Sequence, residues 1–398
     1  MTAAGAYAKP IHVSMFTPTP DGGHARYTKE LLLELAAEGA PRGVSVSLAT
    51  STNLDSVYYT DRYPVHAFLA PTVPRDDFRS PITWAVSRLR HYWRRDHAFV
   101  DWATKNRITA VHVQEYTPWN AIFDFRRLRR RGVRVFATVH NIRWNDYPPF
   151  MPRWLPDLSN RMAWRACDGL FVHTESLKDA LSKRLGPGHP PIFVTEHGAW
   201  SVDQSAPAAA GADERRSAKK LLLYGAHSPY KGLNVMLKAM HDLPGYTLTI
   251  AGPFDDEEVR REAYELAEAL PPGTVTMIEK FYQVHEIAPL FAEHSALMMP
   301  YTRFFAQSGV LHDAVTCGIP VVGTNLGALG ESVRSWGIGT AAEANDPVAF
   351  AAAVKALFEP ETYRAAIAAT ETVRAEKSWR KTAVSTLAGY EAVIRTDG

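Results

Sequence analysis

The sequence predicts two doubly wound α/β domains, each a parallel sheet covered by helices. Short apolar runs rich in β-branched residues alternate with longer helical patterns, which is the rhythm of βα units. This rhythm stops between residues 201 and 220, where alanine, serine, glycine and charged residues predominate, and then restarts. A chain of 398 residues is also too long for one ordinary hydrophobic core. We therefore predict domains at 1–200 and 221–380, with a linker at 201–220.

The strands are predicted from apolar runs bounded by turn residues. In the first domain they are Ile11–Phe16, Val44–Ala49, Ala110–Gln114, Val133–Val139, Gly169–His173 and Ile192–Thr195. In the second domain they are Leu221–Tyr224, Tyr246–Ala251, Val275–Ile278, Ala296–Met299 and Pro320–Gly323. Leucine spacing predicts a helix over Ala25–Ala37, with Gly39 as its C-cap. The acidic run Asp255–Glu257 predicts the start of the helix Glu257–Leu270, where acids favourably meet the helix dipole, and we expect no metal site there.

The composition is that of an ordinary globular protein. Apolar residues make up 46% of the chain and charged residues 22%, which excludes wholesale disorder. The N-terminus lacks the pattern of a secretory signal, and no apolar run is long enough to span a bilayer. Small or apolar residues flank the two cysteines, Cys167 and Cys317, which predicts reduced core thiols and neither a disulfide nor a metal site. We expect a cytoplasmic protein.

The charge is divided unevenly along the chain. Residues 1–200 carry a net charge of +8 and residues 201–398 a net charge of −6. The basic residues concentrate in two groups. The first is Arg88, Arg90, Arg94 and Arg95, and the second is Arg126, Arg127, Arg129, Arg130 and Arg131. Three tryptophans, Trp84, Trp93 and Trp102, lie around the first group. One interpretation is peripheral contact with anionic lipid at the inner face of the membrane. The other, which we favour because the arginines need not share one face, is solvated helix surfaces over core tryptophans. The nearly neutral whole chain argues against nucleic acid.

The most informative segment is the run Phe305–Val322. Its Gln-Ser-Gly turn opens a short apolar helix that stops at Cys-Gly before a buried Ile-Pro-Val-Val strand. A helix N-terminus offers unpaired backbone N–H groups and the positive end of a dipole, which together form a seat for an anion such as phosphate. Asp313, about one turn further along, is placed to accept hydrogen bonds from sugar hydroxyls. The alternative is an ordinary helix capped by Ser308.

Three further segments fall where strands of such domains end and ligands bind. Gly22 and Gly23 follow the first strand, where the lack of a Cβ allows close approach of a ligand, although a simple turn explains them equally well. Lys231 precedes Gly232 in the turn after the restart strand and could reach a diphosphate as a mobile charge, or be a solvated turn lysine. His140 ends a strand and could donate to a sugar oxygen or handle a proton near neutral pH, or be structural.

Read together, these segments resemble the GT-B glycosyltransferases, in particular the retaining family known as glycosyltransferase family 4 (group 1). The resemblance extends over nearly the whole chain. Its most specific parts are Tyr224–Gly232, similar to the family's strand-Gly-…-Lys-Gly turn, and Gln307–Val322, similar to the branch with a Gln-Ser-Gly-Val-Leu motif. Asp168–Ser176 is similar to the family's Ala-Asp-x-x-x-x-x-Ser segment, with Cys167 in place of the alanine.

The resemblance implies a metal-independent hexosyltransferase. It would move a sugar, with retention, from a nucleoside-diphosphate sugar to an acceptor hydroxyl, in glycan, exopolysaccharide or secondary-metabolite biosynthesis. The acceptor would be a sugar, a lipid-linked sugar or a small molecule, and no cofactor is expected beyond the nucleotide co-substrate. The second domain would bind the donor in a cleft facing the first domain, which would supply most of the acceptor pocket. The last helix, at about 381–398, would pack back on the first domain.

The resemblance also implies roles for individual residues. Lys231 would carry the diphosphate charge, and His140 would lie near the transferred sugar as the second catalytic residue. Donor-binding residues would be Gly22, Gly23, Lys231, Gln307, Ser308, Gly309 and Asp313. The acceptor side would include His24 and Asn141.

Two positions depart from the family pattern. By strict spacing, Phe305 replaces the first glutamate of the Glu-x₇-Glu pair, and Asp313 replaces the second. The arginine that usually joins the lysine on the diphosphate is absent, since Ala226 and Ser228 occupy its plausible positions; His227, when protonated, would be the candidate substitute. Such losses are also what a catalytically inactive, GT-B-shaped binding or scaffolding subunit would show, and this remains the alternative function.

Overall fold

Two parallel sheets organise the chain, one in each of two units of structure. The computed structural model describes residues 10–20, 22–71, 80–142, 154–201, 211–303 and 308–395. Residues 1–197 and 379–398 make up the first unit, and residues 198–378 make up the second. Both units are doubly wound α/β structures, which confirms the predicted fold class.

The first unit is built on a sheet of seven parallel strands. In chain order, β1 to β7 are Ile11–Thr17, Val44–Ser51, Val65–Leu69, Ala110–Val113, Arg134–Thr138, Gly169–Val172 and Ile192–Val194. They lie in the spatial order β3-β2-β1-β4-β5-β6-β7, so the chain changes its direction across the sheet between β1 and β4. In doubly wound sheets this switch point is where ligands bind, beyond the carboxyl ends of the strands.

Helices cover both faces of this sheet. In chain order, α1 to α5 are Gly22–Gly39, Pro81–Lys105, Pro118–Arg130, Trp154–Arg165 and Glu175–Leu185. The connections that contain α2 to α5 all run in one direction across the sheet, and right-handed crossovers therefore place these four helices on the same face. Consecutive members of this layer pack against each other.

The second unit is built on six parallel strands. In chain order, β8 to β13 are Lys220–Tyr224, Thr247–Ala251, Val275–Ile278, Ala296–Met299, Val321–Thr324 and Gly339–Ala342, in the spatial order β10-β9-β8-β11-β12-β13. Its helices, α6 to α13, are Ala212–Ala218, Leu233–Ala239, Glu257–Glu268, Val284–Ala292, Gly309–Thr316, Gly327–Trp336, Pro347–Leu357 and Pro360–Glu376. Alternation along β8 sends Leu221 and Leu223 into one apolar cluster and Leu222 into another, which accounts for its continuous leucine run.

The last helix, α14 (Trp379–Ile394), belongs to the first unit. It packs against α1 and against β6 and β7. A Cβ at Gly389 would lie 2.6 Å from a ring carbon of Phe171, so only glycine allows this approach. The neighbouring Tyr390 hydroxyl lies 2.6 Å from Nδ1 of His112, a buried imidazole in β4.

Local differences from the sequence predictions have identifiable causes. The edge strands β3 and β13 were missed because Val-His-Ala-Phe-Leu and Gly-Thr-Ala-Ala lack a sustained apolar or β-branched run. The predicted C-cap at Gly39 is wrong: Gly39 is helical, and Gly43, with φ of +71°, ends the 3₁₀ turn that follows. Helix α6 lies inside the predicted linker, where buried Arg215 donates to the carbonyl oxygens of His294 and Gly318.

Two smaller observations concern cysteines and membrane spans. Cys167 is buried and Cys317 is half-buried, and neither forms a disulfide. None of the described helices combines the length and the apolar character that a bilayer span needs.

Candidate functional site

In the second unit, Lys231 lies in a turn just beyond β8, beside the switch point between β8 and β11. The turn is fixed by its neighbours: the Thr302 backbone N–H donates to the Tyr230 carbonyl oxygen at 2.9 Å. Gly232 has φ of +70°, and a Cβ there would lie 1.8 Å from the Pro300 carbonyl oxygen. Glycine is therefore a steric requirement at position 232, because only a residue without a Cβ lets the turn lie directly against the segment after β11.

The Lys231 ammonium is connected to the N-terminus of α10. Nζ donates to the Tyr301 hydroxyl at 2.8 Å, and that hydroxyl lies 3.3 Å from Oγ of Ser308. Ser308 is the N-cap of α10, but its side chain does not cap the helix. A Cβ at Gly225 would lie 3.7 Å from Nζ and 3.4 Å from Val310, so this glycine keeps open the space where lysine and helix converge.

This arrangement suits an anion. Lys231 is only 7% exposed, and burial by itself would lower its pKa, but the interactions with Tyr301, Tyr230 and Asp255 raise the pKa above its ordinary value. The side chain is therefore a cation at neutral pH. A buried cation and the positive end of a helix dipole stabilise negative charge in the same place.

Trp200 is a residue that the sequence reasoning missed. Its indole Nε1 donates to the Gly309 carbonyl oxygen at 3.1 Å, and its backbone N–H donates to Oγ1 of Thr316 at 2.8 Å. The two ends of α10 are thus held by one residue that lies more than 100 positions earlier in the chain. No signal in the sequence connects Trp200 to this helix, since both bonds depend on tertiary packing.

Of the remaining predicted donor residues of the second unit, the structure describes Asp313 but not Gln307. Asp313 lies on α10 one turn beyond Gly309 and is 6% exposed. Gln307 and Phe305 lie outside the described residues. His227 is fully buried, and burial together with the nearby Lys231 lowers its pKa to about 4. It is therefore neutral at physiological pH and cannot replace the missing arginine, contrary to the suggestion from the sequence.

In the first unit, Gly22 and Gly23 lie beside the switch point between β1 and β4. They are the first two residues of α1 rather than members of a preceding loop, and Gly22 has φ of +74°. A Cβ at either position would meet nothing within 4 Å. His24 follows them, with Nε2 3.7 Å from Glu115, a carboxylate beyond β4 that also accepts a hydrogen bond from the Thr19 hydroxyl. The sequence reasoning overlooked Glu115.

His140, beyond β5, belongs to a chain of hydrogen bonds. Its Nδ1 lies 3.1 Å from Nε2 of His173, whose Nδ1 lies 3.0 Å from the Thr195 carbonyl oxygen. Its Nε2 lies 2.9 Å from Oε1 of the Gln114 side chain. Burial and the neighbouring His24 and His173 lower the pKa of His140 well below its ordinary value, and burial lowers the pKa of His173 to about 4.

Each neutral imidazole carries one proton, and its hydrogen-bond partners determine which ring nitrogen holds it. The Thr195 carbonyl can only accept, so His173 carries its hydrogen on Nδ1 and accepts at Nε2 from His140. His140 is then an acceptor at Nε2, so the Gln114 amide must be turned to present its nitrogen in place of Oε1. This turn also gives a partner to the Gln114 nitrogen, which otherwise has none among the described residues. Both nitrogens of His140 are thus engaged, and the low pKa argues against the predicted proton transfer near neutral pH.

Aromatic rings surround this chain. The Tyr27 ring lies within 5.4 Å, centroid to centroid, of the rings of His140, His173 and His197, and the His24 ring lies 4.6 Å from that of His140. Asn141 is half-buried, and its Oδ1 has no hydrogen-bond partner among the described residues. The first unit therefore brings together His24, His140 and Asn141, three of its predicted site residues, with Glu115 added.

Within the described ranges, no group of three or more His, Cys, Asp or Glu side chains is arranged to hold a metal ion.

Comparisons with known sequences cover both units. The "Glycosyltransferase Family 4" profile matches residues 21–199, and the "Glycosyl transferases group 1" profile matches residues 218–360. Glycogen synthase of Mycobacterium tuberculosis is 26% identical over 58% of this chain, and the match spans only 56% of that enzyme. D-inositol 3-phosphate glycosyltransferase of Pseudarthrobacter chlorophenolicus is 27% identical, over 94% of this chain and 92% of that protein.

Solved structures show the same fold at low identity. Sucrose-phosphate synthase from Thermosynechococcus elongatus has a TM-score of 0.76 at 16% identity, covering 97% of this chain and all of that one. HepE of Anabaena, solved with UDP and glucose, has a TM-score of 0.69 at 14% identity, covering 96% and 100%. The two profiles together with the two doubly wound sheets establish that this chain belongs to the GT-B glycosyltransferases of family 4 (group 1).

Proposed function

We propose that this protein is an active retaining glycosyltransferase. It moves a hexose from a nucleoside-diphosphate sugar to an acceptor hydroxyl, in glycan, exopolysaccharide or secondary-metabolite biosynthesis, and it requires no metal ion. The observation that carries the proposal is the buried Lys231 cation, linked through Tyr301 to Ser308 at the N-terminus of α10. A buried cation beside a helix N-terminus is suited to hold a phosphate, and this supports a working donor site.

The donor diphosphate would lie against these groups. Lys231 would neutralise the phosphate charge, the backbone N–H groups at Ser308 and Gly309 would donate to phosphate oxygens, and Gln307 would be a further donor contact. Asp313 would accept from ribose hydroxyls. As the anomeric C–O bond breaks, negative charge gathers on the leaving diphosphate, and groups already held in place stabilise it without rearrangement. This lowers the barrier to departure.

Retention is proposed to follow attack from the face of the leaving group. The acceptor hydroxyl would attack the anomeric carbon beside the departing phosphate, and its proton would pass to that phosphate oxygen. An enzymic base is then unnecessary, which agrees with the neutral, fully engaged imidazole of His140. We assign to His140 the role of holding the transferred sugar, which would replace one of its two present hydrogen-bond partners. We assign to His24 and Asn141 contacts with the acceptor.

The test is thermal stabilisation by UDP, GDP, ADP, TDP and CDP, with and without EDTA. A ligand that binds only the folded state raises the melting temperature by RT ln(1 + [L]/Kd), about 2.7 kcal/mol at a hundredfold excess over Kd. We expect one nucleotide to stand out, the shift to vanish in Lys231→Met, and the shift to persist in Lys238→Met, an exposed lysine of the same unit. EDTA should change nothing.

Turnover separates the enzyme from the scaffold. The wild type should hydrolyse its preferred donor slowly without acceptor, and Lys231→Met should lose about 10²–10³-fold of this rate, as is typical when one group that stabilises a transition state is removed. Nucleotide binding without any hydrolysis would favour the inactive scaffold, and binding that survives in Lys231→Met would contradict the assignment of the diphosphate site.

A further inference from the structure

The outer face of helices α2, α3 and α4 exposes an unusual number of large apolar side chains. Among the described residues, eight of the twelve exposed large apolar side chains lie on these three helices: Val86, Leu89, Trp93, Phe123, Trp154, Leu155, Leu158 and Met162. The helices are consecutive members of one layer, so their outward surfaces are neighbours. Exposed apolar side chains gathered on one surface, rather than scattered singly, indicate an interaction site.

Within each helix the apolar residues form a stripe. On α2, Val86, Leu89 and Trp93 recur at spacings of three and four and are 44%, 52% and 53% exposed. On α4, Trp154, Leu158 and Met162 recur every four residues. This periodicity places each set on one side of its helix, and that side faces away from the sheet because the buried residues occupy the other.

The same face carries a surplus of positive charge. The three helices hold a net charge of +7, whereas the whole chain holds +2. Three of their four acids are paired with arginines: Asp96 with Arg95 at 2.9 Å, Asp101 with Arg127 at 2.7 Å and Asp157 with Arg184 at 2.7 Å. Arg129 is paired with Asp168 at 3.1 Å. Among the described residues, no acid lies within ion-pair distance of the exposed Arg90 and Arg94. Arg90 and Arg94 border a groove of about 750 Å³ beside α2.

We propose that this face docks on an anionic lipid surface. Apolar side chains that include tryptophan, interspersed with arginine, match the boundary between acyl chains and anionic headgroups. A second copy of the chain is a poorer partner, because a symmetric contact would place the same positive surface against itself. The sequence alone favoured solvated helices; the structure reverses this preference because the arginines and the apolar stripes share one layer.

The experiment is co-sedimentation of the full chain with vesicles of phosphatidylcholine alone or mixed with phosphatidylglycerol. It needs no nucleotide, so its outcome is independent of the proposed transferase activity. We expect binding to the anionic vesicles that weakens as salt rises from about 0.1 M to 0.5 M, where the Debye length falls to a few ångströms. The double variant Arg90→Gln/Arg94→Gln should bind about 20–30-fold more weakly, since each arginine near such a surface contributes about a fivefold factor.

Matched variants complete the design. Leu89→Ser/Trp93→Ser should also weaken binding, whereas Arg261→Gln and Val348→Ser, at exposed positions of the second unit, should bind like the wild type. Melting temperatures check that every variant is folded. Failure of the wild type to bind anionic vesicles at low salt would overturn the proposal, as would equal binding by the α2 variants. Self-association that Leu89→Ser/Trp93→Ser abolishes, without vesicle binding, would assign the face to a second copy instead.

Discussion

Each unit holds candidate site residues beyond the carboxyl ends of its strands, but the two units hold the ionisable groups among them differently. The strand orders agree, with the first strand between the second and the fourth. In the second unit Lys231 remains a cation although it is almost fully buried, because Tyr301 and the other neighbours outweigh the cost of burial. In the first unit, by contrast, burial and the nearby His24 lower the pKa values of His140 and His173 and keep both imidazoles neutral.

This difference shows that topology determines where a site lies, whereas the immediate neighbours determine its charge. In both units the carboxyl ends of the parallel strands bring candidate residues to one edge of the sheet. Where the neighbours favour the charged form of a side chain at this edge, the side chain attracts anions; where burial and nearby histidines oppose the charged form, the side chain offers neutral hydrogen-bonding groups suited to hydroxyls. The following predictions test the comparison, from the largest expected effect to the smallest.

The largest effect is expected at Gly232. Gly232→Ala would place a Cβ 1.8 Å from the Pro300 carbonyl oxygen and also force alanine to adopt φ of +70°. We expect a loss of at least about 3 kcal/mol in the free energy of unfolding, measured by urea denaturation. Gly245→Ala, with φ of +81° but nothing within 4 Å of the new Cβ, is the control and should cost only about 1 kcal/mol. Equal losses would show that Pro300 does not constrain the lysine turn.

Acidification should affect the first unit more than the second. Burial lowers the pKa of His112 to about 3 and of His173 to about 4, and that of His140 also falls well below its ordinary value. These histidines bind protons more readily in the unfolded chain than in the folded one. Their contribution to the free energy of unfolding is therefore complete above about pH 6.5 and declines as the pH falls towards 4. A shift from 6.5 to about 4 corresponds to a loss on the order of 3 kcal/mol.

Asp124 opposes this trend, because burial and the nearby Asp96 raise its pKa to about 7 and its contribution therefore grows as the pH falls below 7. On acidification, the stability lost through the three histidines should exceed the stability gained through Asp124. Amide hydrogen exchange between pH 7 and pH 4 would measure the loss of stability in each unit separately. The second unit should also lose some stability, because it contains His227, whose pKa is lowered to about 4. Earlier loss of protection in the second unit would contradict the prediction.

The smallest effects compare two buried histidines. His173→Leu would leave the Thr195 carbonyl and Nδ1 of His140 without partners and should cost about 1–3 kcal/mol. His227 has no hydrogen-bond partner for either ring nitrogen among the described residues, so His227→Leu should be neutral or stabilising by up to about 1 kcal/mol. Urea denaturation of both variants measures the difference. A destabilisation of His227→Leu equal to that of His173→Leu would indicate that its imidazole has a partner after all.

The sequence was sufficient for the fold because its main signals are local. Apolar strands such as Ala296–Met299 are buried on both faces, so a short continuous run marks them without ambiguity. Asp256 caps α8, as the acidic run predicted, by accepting from the backbone N–H groups of Glu258 and Val259. The edge strands and helix α6 were not predicted because their residues have weak propensities and because partners distant in sequence stabilise them, as buried Arg215 of α6 shows.

For the candidate site, the sequence by itself determined the family and the positions of Lys231, Ser308 and His140 after particular strands, because strand ends and glycine turns are local properties. Only the tertiary structure decided what those residues are: Lys231 a retained cation, His140 a neutral and fully engaged imidazole, and His227 no substitute for an arginine. The physical reason is that protonation depends on burial and on neighbours within a few ångströms. Tyr301 and Gln114 supply those surroundings for Lys231 and His140 from distant parts of the chain.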